Sequence, residues 1–387
     1  MRPRLFINFK FFFITKGVDK LLGNIDRCQR PIPMLRKNID KIILIDHPDI
    51  RCLTRWYIKN DFLNEDQFLW IKVNKWDEKK IEKKMIHLIK KHYHNIKATY
   101  IIHQLTNNII KEIQKLIKKN GGRIGKDFIY PKKNCLYKTV TGKKPNFYIG
   151  NLVSVVKGYW CRNKRELNKA FVLLKKKGIK KMLIKPIGTS AGNGIEKADN
   201  LEDIEKYKFL YGDVVLEEKK ELYKILPAAH FKGHKQFLGV NAQVLNGNAF
   251  SGITNVKKLR SKILKKCKDI IKIIKKKFNL QGYWGVDFLV DKNKNVYLND
   301  INAGRLNGSH PPKYFIKNNF KNKKLKFLAY NIEMYKPLKL ELFKSPYDRI
   351  KRREGYNNII KIPLVYYRNT RDAPKKKKSR FLIILHK

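Results

Sequence analysis

The stretch GYWGVDFLVDKNKNVYLNDINAGRLNGSHPP, residues 282–312, decides how the chain is read. Residues 286–290 and 296–302 each have the character of a β-strand. The run from Asp291 to Asn295 between them is turn chemistry, so the stretch predicts a hairpin. A loop of residues 292–295 sets Asp287 opposite Asp300 and Leu289 opposite Leu298. Side chains alternate along a strand, so Asn302 joins the carboxylate face, with the two leucines on it as well. Like charges directly opposite each other destabilise a sheet. A cation between them removes that cost. Oxygen donors of this kind suit Mg²⁺, which keeps waters and shares its shell with substrate phosphates.

Upstream, residues 181–186 predict a strand that carries Lys185, followed by a loop with Gly188, Thr189, Ser190, Ala191, Gly192 and Gly194. Glycines let backbone approach a ligand closely, and successive N–H groups in such a turn form an anion nest. The loop lacks Walker A spacing, and a Gly-rich loop after a strand also serves as a plain turn. Residues 213–218 predict another strand, ending in Glu217 and Glu218. Two acids there can hydrogen-bond a nucleotide or simply reach solvent. Residues 239–244 and 249–254 predict antiparallel strands around Asn246-Gly247. Residues 258–278 predict a long basic helix with Ile263, Leu264, Ile270, Ile271 and Ile274 inward.

Taken in order, the lysine strand, the Gly/Ser/Thr loop, the strand ending Glu-Glu, the long helix and the Asp…Asp-x-Asn hairpin before Arg305 resemble the ATP-grasp superfamily. The likeness covers about residues 134–312 and is nearest to the stand-alone ligases that join amino acids or peptides. The resemblance implies an α/β (α+β) fold, in which two ATP-grasp subdomains sandwich ATP, preceded by a Rossmann-like pre-ATP-grasp domain. It divides the chain into 1–133, the pre-ATP-grasp domain, 134–215, the lid subdomain, 216–340, the C-terminal subdomain with the metal hairpin, and 341–387, a basic extension.

By the same resemblance, Lys185 contacts the α- and β-phosphates, and Gly188 to Gly192 form the flexible loop over the triphosphate. Glu217 and Glu218 lie at the adenine–ribose hinge. Asp287, Asp300 and Asn302 hold Mg²⁺, and Arg305 stabilises the transferring phosphoryl. An earlier lid lysine is expected at Lys138, with Lys143 and Lys144 as competitors. Two departures stand out: Asp300 replaces the usual Glu, and Gly304 stands where Pro often precedes the Arg. The implied activity is ATP-dependent ligation of a small-molecule carboxylate to an amine through an acyl-phosphate. The alternatives are a kinase that stops at the phosphorylated product and a polyanion-binding protein on a degenerate scaffold.

The rest of the chain fits two or three domains. The 387 residues exceed one ordinary core. Residues 41–45 and 98–102 predict strands, and 78–91 and 106–119 predict helices, an alternation that suggests a parallel sheet. No G-x-G-x-x-G follows the first of these strands, which argues against dinucleotide binding. Residues 1–14 read as a strand or hydrophobic arm interrupted by Lys10, with a targeting peptide as the alternative. The helix expected at 163–177 opens the lid.

The net charge is +56, from 88 Lys+Arg against 32 Asp+Glu, but lysines are spread along the whole chain. That spread favours a solvated lysine surface over a dedicated nucleic-acid face. The five cysteines have no paired spacing, which suits reduced thiols and a cytoplasmic setting. No apolar run is long enough to span a membrane. The basic run 374–380 reads as a solvated tail, and 381–385 as an edge strand.

Overall fold

A computed structural model describes residues 3–7, 9, 24–25, 28–92, 98–101, 105–121, 128–129, 152–187, 194–210, 212–223, 225–233, 236–246, 249–255, 259–278, 280, 282–303, 310–320, 326–334, 358–370 and 373–386. The first unit is a five-stranded parallel sheet in the order β3-β2-β1-β4-β5. Its strands are β1 (Arg4–Ile7), β2 (Lys41–Ile45), β3 (Phe68–Ile71), β4 (Ala98–Ile101) and β5 (Phe128–Ile129). The apolar N-terminal segment thus supplies the central strand, and Leu5, Phe6 and Ile7 are fully buried. Strands covered on both faces read as continuous apolar runs, as β1 and β2 do.

Helices α1 (Pro48–Lys59), α2 (Glu78–His92) and α3 (Asn107–Lys119) connect these strands. Thr106 caps α3 by accepting from Ile109 N at 3.3 Å, and Ile109, Ile113 and Ile117 bury its apolar stripe. α1 was not foreseen. His47 is its N-cap, and its ring nitrogen accepts from Asp49 N at 3.2 Å; Pro48 opens the helix. Proline suits the first helical turn, where its missing N–H costs nothing.

The second unit is an antiparallel sheet in the order β6-β9-β7-β8. It comprises β6 (Gly158–Cys161), β7 (Met182–Pro186), β8 (Glu196–Lys197) and β9 (Val214–Glu218), with helices α4 (Lys164–Lys176) and α5 (Leu201–Lys206). Cys161, Met182, Ile184, Val214 and Leu216 pack with Leu167, Ala170 and Leu174 of α4. Lys185 and Glu217 belong to the opposite face.

The third unit is an eight-stranded antiparallel sheet in the order β14-β13-β10-β11-β12-β15-β17-β16. It is built from β10 (Leu226–Lys232), β11 (Gln236–Asn246), β12 (Ala249–Asn255), β13 (Tyr283–Val290), β14 (Val296–Asn302), β15 (Lys326–Met334), β16 (Asn358–Thr370) and β17 (Ala373–His386). Helix α6 (Ser261–Lys277) lays Ile263, Cys267, Ile270 and Ile274 against Trp284, Val286, Phe288, Val290 and Leu298. On the other face lies α7 (His310–Asn319). Its Phe315 meets Tyr57 and Phe62 of the first unit at ring separations of 6.2 and 5.0 Å, and Asn318 donates to Met34 O at 3.2 Å.

The C-terminus corrects the sequence reading. Strands β16 and β17 continue the sheet to His386. β17 carries the basic run and pairs with both β15 and β16, so it is an interior strand and neither a tail nor an edge; β16 is the edge. A lysine run shows no apolar alternation, yet backbone pairing does not require one.

Candidate active site

The hairpin forms, with a five-residue turn from Asp291 to Asn295. Asp291 organises it. Its carboxylate accepts from Asn295 N at 2.8 Å, Asn295 Nδ2 at 3.0 Å and Tyr297 Oη at 3.1 Å. Burial acts to raise the Asp291 pKa, and these hydrogen bonds outweigh it and hold the carboxyl below its usual range.

Near the turn the register pairs Val290 with Val296, Leu289 with Tyr297 and Phe288 with Leu298. The expected Leu289–Leu298 pair is therefore wrong, and Leu298 lies on the core face against α6. Then the register slips by one at Asn299, and Asp287 stands opposite Asp300. Without this β-bulge Asp287 would face Asn299, and Asp300 would point to the other side of the sheet. Bulges re-aim side chains in this way next to functional sites. Gly285 pairs with Asn302, whose amide donates to Asp287 Oδ2 at 2.8 Å. Two carboxylates and an amide thus share one sheet face. Among the described residues no group of three or more His, Cys, Asp or Glu gathers as a metal cage. The donor set still fits Mg²⁺, which is held through one or two carboxylates and keeps waters.

In the second sheet Lys185 pairs with Val215, and its ammonium makes an ion pair with Glu217, diagonally across from it. Both groups are largely buried, Glu217 being 3% exposed. Gly158 lies against this spot for a steric reason. A Cβ there would meet Leu216 O at 2.7 Å and Glu217 Cβ at 2.8 Å. Glu218 points the other way, as alternation requires, and its carboxylate takes Lys220 at 2.6 Å. Lys220 in turn lies 5.4 Å above the Tyr297 ring. The two neighbouring acids therefore do different things. Glu217 holds Lys185, and Glu218 ties the end of β9 to the hairpin.

Backbone contacts join the two sheets at this point. Tyr223 N donates to Val290 O at 2.8 Å, Lys292 N to Glu221 O at 3.0 Å, and Leu298 N to Ser154 O at 2.8 Å. The segment after β9 is thus stitched to the turn of the carboxylate hairpin.

The carboxylate face continues across β10. Ala228 pairs with Asp287 and with Asn241, while His230 pairs with Gly285 and Gly239. The His230 and His310 rings lie 5.2 Å apart, edge to face, and Tyr283 is 5.3 Å from His310. Both imidazoles are fully buried. Burial, joined by the nearby Lys313 charge, pushes His230 well down and His310 to about 3, so both are neutral in ordinary buffers. His310 and Lys313 carry no signal of their own in the sequence. Lys138, Lys143, Lys144, Gly188, Thr189, Ser190, Ala191, Gly192 and Arg305 lie outside the described residues. No helix among the described residues is long and apolar enough to cross a membrane.

Residues 166–309 match the model of the ATP-grasp domain. Among solved structures, an N5-carboxyaminoimidazole synthase from Aspergillus clavatus, in complex with ADP and 5-aminoimidazole ribonucleotide, is similar over 100% of this chain and 94% of its own, at 11% identity and a TM-score of 0.57. Biotin carboxylase from Campylobacter jejuni is similar over 99% and 87%, at 13% identity and a TM-score of 0.58. N5-carboxyaminoimidazole synthetase from Staphylococcus aureus covers 99% and 93%, at 13% identity and a TM-score of 0.55. At these identities the likeness is one of fold. No curated protein matches the chain by sequence.

Proposed function

We propose, from the match of residues 166–309 to the ATP-grasp domain model, that the chain is an ATP-grasp enzyme, an ATP-dependent carboxylate–amine ligase using Mg²⁺. The observation that carries the reading is the Asn299 bulge, which brings Asp300 onto the face of Asp287 and Asn302. Like charges directly opposite each other are destabilising, and a cation between them offsets that cost. Asp287, Asp300 and Asn302 would hold Mg²⁺, which would neutralise charge on the triphosphate. Lys185, oriented by Glu217, turns to the α- and β-phosphates. Glu218 and the main chain at the end of β9 line the hinge around the base and ribose, with Glu217 behind Lys185, and residues 188–192 and Lys138 cover the phosphates. Arg305 meets the transferring phosphoryl.

The reaction follows from these charges. A substrate carboxylate oxygen attacks the γ-phosphorus, and the bond to the β–γ bridging oxygen breaks to release ADP. Fixed cations stabilise the charge spread over the phosphoryl oxygens, with no reorganisation at the moment of reaction. An amine then attacks the acyl carbon, loses its proton and expels phosphate. The similar solved enzymes are named for carboxylating an imidazole or biotin, so the acid and amine are kept here as chemical classes. The test is an ADP-release screen over carboxylate and amine libraries, with mass spectrometry of the products. ADP release that needs both partners, together with an amide product, is expected. A stable phosphorylated product without amide would instead make the protein a kinase. Salt-dependent binding of RNA without turnover would make it a polyanion binder on this scaffold.

A further inference from the structure

Lys313 projects from α7 onto the sheet beside the carboxylate face. Its ammonium donates to Leu238 O at 3.2 Å. That carbonyl is freed by a second bulge, since β11 slips by one against β10 between Gly239 and Phe237. Gly239 follows with φ of +121°, and a Cβ there would lie 2.5 Å from Lys313 Nζ. The backbone is thus shaped to receive this ammonium. No carboxylate answers it among the described residues, and burial alone pulls its pKa down to about 8. Two residues along β11, on the same face, Asn241 is 1% exposed, and its Nδ2 has no hydrogen-bond partner among the described residues.

A half-buried cation without an anion and a buried amide without an acceptor are both costly, the latter by roughly 1–3 kcal/mol. A methionine and a leucine would fill the same volume without that cost. Both debts are cleared by a single group that carries negative charge and several acceptor atoms. We propose that Lys313 and Asn241 form a subsite for an anionic group of the substrate, a carboxylate or a phosphate, seated on Gly239 at the far end of the carboxylate face. Calling the ligand a substrate rests on the ligase reading; the anion site itself does not.

Gly239 pairs with His230, which pairs with Gly285, and Asp287 is two residues further on. Two strand spacings and one two-residue step separate the subsite from the hairpin by about 12 Å. The subsite therefore grips the end of a small molecule remote from the reacting atoms, and the neutral His230 and His310 line the span between.

The experiment is calorimetry on the full chain with Mg²⁺ and a non-hydrolysable ATP analogue, followed by titration with inorganic phosphate or acetate. Wild type is expected to bind one of the two anions, and which one binds identifies the headgroup. Lys313→Met and Asn241→Leu are each expected to weaken that anion by about ten- to a hundredfold, with analogue affinity unchanged. Absence of anion binding, or equal affinity in the variants, would overturn the subsite. Failure of the analogue to bind counts against the ATP reading alone, and the anion titration then proceeds without it. If the variants do not fold, the wild-type protein with ¹³C-dimethylated lysines gives a second readout. The lysine titrating near pH 8 moves up by at least one unit when the anion is added; an unmoved midpoint overturns the proposal.

Discussion

Two clusters of charge in this chain are built on opposite plans. In the N-terminal sheet, Asp40 is fully buried and fully answered. Arg4 reaches it through Nε at 3.0 Å and through its main-chain N–H at 3.1 Å, and Arg36 Nη2 lies 2.7 Å away. Burial acts to raise the Asp40 pKa, but the hydrogen bonds of Arg36 and Arg4 outweigh it and hold the carboxyl below its usual range. On the carboxylate face, Asp287 stands opposite Asp300, and Lys313 lies half-buried without a carboxylate among the described residues. The first cluster is complete in the folded chain and secures β1 to the segment before β2. The second sets two carboxylates opposite each other and leaves the Lys313 ammonium without a carboxylate among the described residues, which makes it the candidate functional site.

Breaking the closed cluster has the largest effect on stability. Asp40→Asn leaves two arginines facing a neutral amide and is expected to destabilise the protein by about 3–5 kcal/mol, read from urea unfolding. Because the folded pKa of Asp40 is depressed, its contribution is present above the usual carboxylate range and is lost as pH falls through the lower folded value. At the open cluster the acid dependence has another source. An unfolded His310 binds a proton below about pH 6.5, whereas the fold refuses it until about 3. Stability therefore falls as pH drops across that window, by up to about 1.4 kcal/mol per pH unit. His310→Gln is expected to flatten this slope, and an unchanged slope would remove His310 as its cause.

Smaller changes separate the two plans further. Gly158→Ala forces a methyl against Leu216 O and Glu217 Cβ. It is expected to cost about 1–3 kcal/mol and to lower nucleotide affinity by displacing Glu217 from Lys185. Asp300→Asn relieves like-charge repulsion and is expected to shift metal-free stability by less than about 1 kcal/mol, while removing the Mg²⁺ dependence of nucleotide binding. Equal losses of stability at Asp300 and Asp40 would abolish the distinction between the clusters.

Much of this was written in local sequence. The parallel sheet, α2 to α4, the β11–β12 hairpin and the pairing of Asp287 with Asp300 all follow from periodicity and turn residues. The Asp pairing came out right by two compensating errors: the turn is one residue longer than expected, and the bulge at Asn299 restores the register. A bulge leaves no residue signature here, because its gain lies in where it aims a side chain. β10, LPAAHFK, was missed because a strand buried along its whole length shows no alternation. Helix α1 was missed because histidine is an unusual cap. Lys313 looks like any of the many lysines in sequence; only its burial against Gly239 sets it apart, and that is a property of the tertiary fold. The opposite roles of Glu217 and Glu218 needed the strand's actual faces.

The central claim is that the hairpin and Lys185 together hold Mg²⁺-nucleotide. Calorimetry of ADP binding with and without Mg²⁺, in wild type, Asp287→Ala and Lys185→Ala, tests it most directly. The account predicts Mg²⁺-dependent binding in wild type, at least about tenfold weaker in either variant, as loss of a charged contact implies. The same ADP affinity in all three proteins, with or without Mg²⁺, would contradict it.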